Sequence, residues 1–485
     1  MSKSILILIT AILTNTCLFG QNCTCIDNYK WVKKTFEEND AGFQYALASK
    51  GEQAYADHND RIEEKVKSVK TISECSPILY EWLKFFRSGH IGIRLKENVA
   101  PVEVKKTETQ FPDWESYDIK TEDFIAYLDS EKLIDYEGIW ETPPYKIGIK
   151  YQGDGYIGFI LESGAETWSK GQIKLKFNIG ENKTSGVYFM RDHSAVEVKE
   201  VSLIGNNHLK IGNFTLKRIY PEIEDQPKFT QYFNALNAQY PYIEQMNQTT
   251  LYLRVPSFNE SYKRQIDSVL NANKEKLLTT ANVIIDIRNN GGGSDAAYSE
   301  IIPFLYTNPI RGVGVEFLST KLNNQRMLDF IHKPEYEFDD DGKKWAKESY
   351  DKLERNLGQF VNLNENIVSV NILDTVYPFP QNVGIIINEG NGSTSEQFLL
   401  EAKQSKKVKL FGVTTFGVLD ISNMYFVESP CNEFQFGYSL SRSMRIPDFT
   451  IDEKGIQPDF YLDKSVPPYE WTEFVNKALN GNKNE

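Results

Sequence analysis

Ser393 stands where an apolar run over residues 383–388 gives way to a helical pattern. A serine in a tight turn between a buried strand and a helix presents its hydroxyl at the edge of a sheet, and the amide of Thr394 points into the same space. Those features suit nucleophilic attack on a carbonyl group. Helix capping by Ser393 or Ser395, with Glu396 complementing the helix dipole, explains the same residues without catalysis.

A glycine-rich loop follows another strand pattern, residues 281–287. Successive glycines let backbone N–H groups approach a carbonyl oxygen without an intervening Cβ, as an oxyanion hole requires. The N–H groups of Gly292 and Thr394 are the predicted donors. The spacing is not G-x-G-x-x-G and no phosphate-loop lysine follows, so a nucleotide site is not indicated. A plain tight turn is the alternative.

Four motifs in this order resemble those of the C-terminal-processing and tricorn-type serine peptidases, over roughly residues 250–465. They are Asp286-Ile-Arg-Asn-Asn-Gly-Gly-Gly (family D-L-R-N-N-x-G-G), Gly390-Asn-Gly-Ser-Thr-Ser-Glu396 (T-A-S-A-S-E), Thr415-Phe-Gly417 (T-x-G) and Gly455-Ile-Gln-Pro-Asp459 (G-V-x-P-D). In the second motif the family nucleophile lies three residues before the glutamate, which maps onto Ser393. The resemblance implies a ClpP/crotonase-like fold, a peptide or protein substrate, and neither metal nor cofactor.

The general base cannot be the lysine that Ser-Lys members carry after T-x-G, because Val418 occupies that position. Among five histidines, His90 is the candidate. Its setting, Arg87-Ser-Gly-His-Ile-Gly, resembles the D-G-H-x-x segment through which tricorn-type members supply a histidine. Some of those members place a serine directly before the histidine, where this chain has Gly89. A structural histidine at a helix-to-strand junction is the alternative.

The resemblance also places an acid shortly before the closing motif, where it would orient the histidine. Asp452 is favoured by register, Glu453 and Asp420 are alternatives, and each of the three also fits an ordinary surface charge. Arg442 and Arg445 are candidates for binding a substrate's C-terminal carboxylate, since a guanidinium group binds carboxylates in a bidentate fork. A strand-surface role is the simpler interpretation of both arginines.

The elements that would position these residues make this an α+β multidomain chain. The predicted regions are a helical N-terminal segment carrying His90 (21–95), a polar linker (96–134), a small antiparallel β-barrel or β-sandwich module (135–220) and an α/β peptidase domain (225–480) with a largely helical insertion (320–372). Hydrophobic spacing of three and four residues predicts the helices, and alternation predicts the strands. Alternating strands and helices after residue 225 indicate an α/β layer architecture. The predicted helices include one from about Asp295 to Leu305, after the glycine loop, and one from Trp345 to Val361 within the insertion.

The N-terminus has the pattern of a signal peptide, with Lys3, a short apolar core and Gly20 before the predicted cut. We therefore expect a secreted or periplasmic protein with no membrane span after cleavage. A retained anchor or a buried helix is the alternative. The net charge of -13, from 54 basic and 67 acidic residues, argues against nucleic-acid binding, which needs basic surface.

Signal removal would leave four cysteines in a compartment where disulfides persist. A bridge from Cys23 or Cys25 to Cys75 is preferred, because it would hold the mature N-terminus against the helix that leads to His90. Four free thiols are the alternative, and Cys431 has no evident partner. No group of His, Cys and carboxylate residues has zinc spacing, so no metal site is predicted.

Two other functions fit these residues. One is a binding protein that keeps the fold and lacks turnover, which would bind an apolar ligand and ignore serine-directed reagents. The other is an esterase that uses the same serine.

Overall fold

The computed structural model describes residues 23–96, 113–130, 135–180, 184–212 and 214–481. The predicted signal peptide and residues 97–112 and 131–134 of the predicted linker lie outside these ranges. Among the described residues, no helix combines the length and apolar character needed to cross a bilayer.

Helices dominate the N-terminal region, as the residue spacing predicts. Its elements are α1 (Cys25–Asn39), α2 (Phe43–Lys50), α3 (Glu52–Ser68), α4 (Ile72–Lys84) and the strand β1 (Gly92–Leu95). Aromatic side chains fill the space between the helices, and the rings of the fully buried Phe36 and Trp82 are 5.6 Å apart. His90 lies in the reversal between α4 and β1.

The β module is one antiparallel sheet of nine strands with a helix packed on it. Its elements are α5 (Thr121–Ser130), β2 (Gly138–Thr142), β3 (Tyr145–Gln152), β4 (Gly155–Ser163), β5 (Ile173–Ile179), β6 (Thr184–Phe189), β7 (Ala195–Val198), β8 (Val201–Ile204), β9 (His208–Ile211) and β10 (Phe214–Tyr220). The strand order is β7-β6-β5-β4-β3-β2-β10-β9-β8. Strands from both ends contribute to one buried cluster, so the sheet curls around its core.

Part of the predicted linker is ordered and belongs to this module. Helix α5 buries Phe124 and Leu128 in a cluster with Phe159 of β4. The two residues are four apart and so share one face of the helix. The polar composition of the surrounding segment concealed this short apolar stripe.

The C-terminal region has the predicted α/β layers. Its elements are α6 (Pro227–Asn237), β11 (Tyr242–Asn247), β12 (Thr250–Arg254), α7 (Lys263–Ala272), α8 (Lys274–Leu277), β13 (Asn282–Asp286), α9 (Ile302–Leu305), β14 (Ile310–Val313), β15 (Val315–Leu318), α10 (Lys321–His332), α11 (Asp340–Glu354), β16 (Phe360–Asn362), β17 (Val368–Asn371), β18 (Asn382–Ile387), α12 (Thr394–Ala402), β19 (Val408–Gly412), β20 (Ile421–Glu428), β21 (Phe434–Ser443), β22 (Phe460–Tyr461) and α13 (Trp471–Asn480).

A six-stranded sheet forms the centre of this region, in the order β11-β12-β13-β18-β19-β22. All neighbouring strands are parallel except β11 and β12. Successive residues of β13 face opposite layers, so that Ile285 joins one buried cluster and Ile284 the other. Burial on both faces explains why β13 and β18 read as continuous apolar runs.

Two predicted helices differ from the structure. The helix expected over 295–305 is a 3₁₀ turn at Asp295–Tyr298 followed by the short α9, whose first turn contains Pro303. Proline lacks the N–H that a continuous helix would need at that position. The helix expected to reach Val361 ends at Glu354, and the insertion closes with strands β16 and β17.

A second sheet joins the N-terminal region to the C-terminal region. Its strand order is β1-β21-β15-β16, and β20 also pairs with β21. Strand β1 runs antiparallel to β21, with Gly92 opposite Gly437. The segment that carries His90 is therefore hydrogen-bonded into the same sheet as strands of the C-terminal region.

One disulfide reinforces this junction, and a second lies within the N-terminal region. Cys25 is bonded to Cys75, with their Cα atoms 5.5 Å apart, so Cys25 is the one of the two N-terminal candidates that pairs with Cys75. Cys23 is bonded to Cys431, in the turn between β20 and β21, with a Cα separation of 5.8 Å. Sequence reasoning left Cys431 without a partner because 408 residues separate the two cysteines.

Candidate active site

Ser393 occupies the turn between β18 and α12 in a left-handed backbone conformation, with φ 54° and ψ -124°. A non-glycine residue rarely adopts such angles, and strained turns of this kind expose a nucleophile above a sheet. Its side chain accepts no capping hydrogen bond from α12. Instead, its Oγ lies 3.0 Å from Nε2 of His90. Helix capping therefore does not account for Ser393.

His90 is held so that one ring nitrogen faces the serine. Its other nitrogen, Nδ1, lies 2.6 Å from the carbonyl oxygen of Ile421, the first residue of β20. A carbonyl oxygen only accepts hydrogen bonds, so Nδ1 must carry the proton. In the neutral ring the lone pair is then on Nε2, and the Ser393 hydroxyl donates to it.

The surroundings of His90 keep its ring neutral. Burial lowers the pKa of His90 below its usual value; the Ile421 carbonyl opposes this shift, while the charge of Arg87 adds to it. A neutral imidazole is the form that can accept a proton from a serine hydroxyl.

Arg87 and Asp40 fix the backbone on either side of the His90 ring. Arg87 donates to both carboxylate oxygens of Asp40, at 2.8 and 2.6 Å, and to the carbonyl oxygens of Gly89 and His90. Ser439 of β21 donates its hydroxyl to the same His90 carbonyl at 3.0 Å. Sequence reasoning missed this support, since an arginine three residues before His90 reads as surface charge until its partner is known.

Asp452 does not contact His90, which corrects the expected role of a carboxylate in direct contact with the imidazole. Its carboxylate accepts the backbone N–H groups of Leu419, Asp420 and Ile421 at 2.6, 2.6 and 3.2 Å. Asp452 thus holds the segment whose last carbonyl contacts His90. Burial raises the pKa of Asp452 to about 6, and the nearby Asp420 carboxylate adds to that shift.

The two alternative acids also serve other purposes. Asp420 accepts hydrogen bonds from the Arg445 guanidinium at 3.1 and 3.2 Å and from the N–H groups of Ile451 and Asp452. Glu453 has a side chain 59% exposed, and its nearest cation is Lys50 at 4.0 Å. Neither acid orients the imidazole.

Both candidate substrate-binding arginines are engaged elsewhere. Arg445 is buried against Asp420. Arg442 donates to Glu316 at 2.7 Å and lies 3.6 Å from the ring centre of Phe360. These contacts support a structural role for Arg445, whereas Arg442 uses only Nε in its bond to Glu316.

The glycine loop lies directly against the Ser393 turn. Gly292 has φ 104°, and an added Cβ there would lie 2.7 Å from the Gly392 oxygen, 2.8 Å from the Thr394 nitrogen and 2.9 Å from the Ser393 Cβ. Within the described residues, the Thr394 N–H donates to no other group, which leaves it available to an oxyanion. The Gly292 N–H, by contrast, donates to Oδ1 of Asn290 at 3.1 Å.

Asparagine side chains tie the two loops together. Asn391 of the Ser393 turn donates to the carbonyl oxygens of Ile287 and Asn290, and Asn388 donates to Asn289 at 2.8 Å. Asn290 in turn accepts the N–H groups of Phe258 and Gly292, both at 3.1 Å. The asparagines of both motifs therefore set the distance between nucleophile and glycine loop.

Asp286, which opens the glycine motif, is structural. Burial alone would raise its pKa, but Arg288 and Arg254 outweigh burial and lower the pKa of Asp286 to about 2. Tyr252 donates its hydroxyl to the same carboxylate at 2.7 Å. The carboxylate anchors the end of β13 beneath the loop.

No group of three or more possible metal ligands occurs among the described residues.

Comparison with known proteins places these elements in context. Residues 249–462 match the sequence model of Peptidase family S41. No curated protein matches the chain.

Solved structures of CPAF share its fold at low sequence identity. Mature CPAF has 11% identity and a TM-score of 0.50, with 95% of this chain and 98% of that one covered. Mature CPAF complexed with lactacystin also has 11% identity, with a TM-score of 0.51 and coverage of 94% and 97%. A putative peptidase from Parabacteroides merdae has 13% identity and a TM-score of 0.44, with coverage of 96% and 100%.

Proposed function

Since this chain belongs to peptidase family S41 through residues 249–462, and is therefore a serine-type peptidase, we propose that Ser393 is its nucleophile and His90 its general base. The observation that carries the proposal is the 3.0 Å contact between Oγ and Nε2, with Nδ1 directed at the Ile421 carbonyl. Nδ1 thus carries the ring proton, and Nε2 is the atom that accepts the serine proton.

The proposed reaction is acyl transfer from a peptide to Ser393. The serine oxygen bonds to the carbonyl carbon while Nε2 takes the hydroxyl proton. The carbonyl oxygen gains negative charge, which the Thr394 N–H is placed to stabilise. When the peptide C–N bond breaks, Nε2 returns its proton to the leaving amine. Water then attacks the acyl carbon while Nε2 takes a proton from it; the bond to the serine oxygen breaks, the carboxylic acid product leaves, and Nε2 returns the proton to the serine oxygen.

His90 differs from the histidine of a Ser-His-Asp triad in having a neutral partner. A carbonyl dipole stabilises an imidazolium less than a full negative charge does. The lowered pKa of His90 agrees with this environment. We propose that the Ile421 carbonyl sets the tautomer and that Asp452 acts only through the backbone that presents this carbonyl.

We further propose that the protein is exported and acts on peptides or proteins outside the cytoplasm. The short apolar N-terminal segment motivates this proposal, and two disulfides are typical of an oxidising compartment. Intact-mass measurement of secreted material is the test. A mass that begins near Gln21 is expected, and a mass that retains Met1 would contradict export with cleavage.

The catalytic assignment is tested with a serine-directed phosphonate and peptide turnover. Wild-type protein should be labelled at Ser393, and Ser393→Ala and His90→Ala should each lower kcat by roughly three orders of magnitude or more. The double variant should be little worse than either single one, because the residues act as a unit. His332→Ala, at an exposed histidine on α10, is the control and should keep wild-type turnover.

Other outcomes identify the alternatives. Hydrolysis of esters without peptides would indicate an esterase. Absence of labelling with retention of an apolar ligand would indicate a binding protein. Near wild-type turnover in His90→Ala, with Ser393→Ala inactive, would remove His90 as the base.

A further inference from the structure

The position that carries the catalytic lysine in Ser-Lys relatives holds Val418, and the reaction proposed above gives this side chain no chemical task. Val418 is nevertheless buried, with 8% of its surface exposed. Its two methyl groups point at the two halves of the proposed site. An added Cβ at Gly89 would lie 2.5 Å from Cγ1 of Val418, and one at Gly392 would lie 2.7 Å from Cγ2.

Gly89 directly precedes His90, and Gly392 directly precedes Ser393. Val418 therefore lies between the backbone next to His90 and the backbone next to Ser393. It packs against a glycine on each side, and neither glycine has a side chain that could move to make room. Protein interiors are packed closely enough that the loss or gain of one methyl group shifts such contacts. A serine at position 89 would place its Cβ against Val418, which explains why this chain has glycine where some relatives have serine.

Glu396 holds the Val418 segment in place. Its carboxylate is fully buried and accepts the Thr415 hydroxyl at 2.5 Å and the N–H groups of Gly417 and Val418 at 2.8 and 2.9 Å. Glu396 lies in the first turn of α12, which begins immediately after Ser393. The helix that starts at the nucleophile thus carries the acceptor that fixes Val418.

We propose that Val418, held by Glu396, is a positioning residue that sets the separation between His90 and Ser393. This inference rests on the proposed roles of His90 and Ser393. It predicts that the volume at position 418 and the volume at position 89 compensate each other in turnover. Neither Val418 nor Gly89 contacts the substrate or takes part in proton transfer.

The test is an exchange of volume between positions 89 and 418 in the full-length, disulfide-intact protein. Gly89→Ala alone should lower kcat by about 100-fold, because its Cβ would collide with Val418 and displace His90. Val418→Ala alone should lower kcat by about tenfold, with KM within about twofold of wild type, because the spacer is lost and substrate contacts are kept. In Gly89→Ala/Val418→Ala the new methyl group enters the vacated space, and kcat should rise about tenfold above that of Gly89→Ala.

Val475→Ala is the matched control for loss of the same atoms. Val475 is fully buried on α13, in the cluster on the other face of the central sheet. Its substitution should lower the melting temperature and leave kcat unchanged. Val418→Thr, which keeps both branches at Cβ, should retain kcat within about threefold and so restore what alanine loses.

Three results would overturn the proposal: kcat of Val418→Ala within about twofold of wild type, equal losses of kcat in Val418→Ala and Val475→Ala, or additive losses in the double variant. If Gly89→Ala fails to fold, the comparison of Val418→Ala with Val418→Thr decides the question alone. Phosphonate labelling of the wild-type protein separates these results from a failure of the proposed function, since unlabelled Ser393 would refute the nucleophile itself.

Discussion

At the scale of single residues, both members of the proposed catalytic pair have left-handed backbones. Ser393 has φ 54° and His90 has φ 52°. Such conformations cost about 1–3 kcal/mol each for non-glycine residues and persist only where surrounding contacts determine them. Here those contacts include the asparagine bonds around Ser393 and the Arg87 bonds around His90. The backbone thus aims the two side chains at each other before a substrate arrives.

The first prediction concerns pH. Protonated His90 cannot accept the serine proton, and burial lowers the pKa of His90. We therefore expect kcat/KM to rise with pH through an apparent pKa below about 6.5, the ordinary histidine value, and to stay high at neutral pH. Steady-state rates from pH 4 to 8 measure this limb. An apparent pKa above 6.5 for the rising limb would contradict the assigned environment of His90.

The second prediction concerns the glycine loop. An alanine at Gly292 would place its Cβ within 3 Å of three atoms of the Ser393 turn, at a backbone angle that L-residues rarely adopt. Gly292→Ala should therefore lower kcat by about 100-fold or more. Gly291→Ala is the matched control, since nothing lies within 4 Å of an added Cβ at Gly291. Equal effects of the two substitutions would argue against a site-specific role for Gly292.

At the scale of elements, the site depends on pieces far apart in the chain that meet at the ends of strands. The turn after β18 supplies Ser393, the reversal before β1 supplies His90, and the start of β20 supplies the Ile421 carbonyl. The five successive N–H groups of residues 417–421 donate hydrogen bonds to two carboxylates. Glu396 accepts two of these bonds and Asp452 accepts three. That segment is consequently fixed along its whole length.

The third prediction tests Asp452 as a support for backbone. Asp452→Asn should lower kcat about tenfold, less than His90→Ala, because an amide keeps some acceptor capacity and the Ile421 carbonyl remains present. Glu453→Gln is the control and should be neutral, since that side chain is mostly exposed. A loss in Asp452→Asn as large as that of His90→Ala would indicate direct contact with the imidazole during turnover.

The Asp452→Asn variant also separates the titration of Asp452 from the titration of His90. Wild-type Asp452, with a pKa raised to about 6, loses its charge as the pH falls through that value and then binds the three N–H groups less well. Both this loss and protonation of His90 lower activity in acid. In Asp452→Asn only the His90 limb should remain, so the acid limb should become less steep.

At the scale of the whole molecule, the proposed catalytic pair spans two regions that a shared sheet and one disulfide join. His90 belongs to the N-terminal region and Ser393 to the α/β region, and β1 pairs with β21 between them. The Cys23–Cys431 bond ties the N-terminal region to the β20–β21 turn. Activity should therefore depend on contacts that neither region makes alone.

The fourth prediction concerns these disulfides. Peptide mapping without reduction should recover Cys25 linked to Cys75 and Cys23 linked to Cys431. Removing the first bond in Cys25→Ser/Cys75→Ser should lower the free energy of unfolding by about 4 kcal/mol, from the chain entropy of a loop of about 50 residues. Denaturant unfolding measures this change. A Cys23–Cys75 linkage in folded protein, or free Cys75, would contradict the pairing.

The sequence by itself determined most of the peptidase domain. Apolar runs buried on both faces identify β13 and β18, and the motifs that follow them identify Ser393 and the glycine loop, because strand, turn and helix are local in the chain. His90 was also reached from the sequence, through its motif and the absence of a lysine at Val418. Local patterns failed at α9, where Pro303 interrupts the expected helix.

Only the tertiary structure decided which groups surround the histidine. Asp452 lies before the closing motif as the resemblance implies, yet its carboxylate binds the N–H groups of residues 419–421, and the Ile421 carbonyl faces His90. The partners Arg87 with Asp40, and Cys23 with Cys431, are likewise distant in sequence. Which charges pair, which carbonyl faces the histidine and which cysteines bond all depend on where distant segments come into contact in the fold. The spacing of residues along the chain carries no information about those contacts.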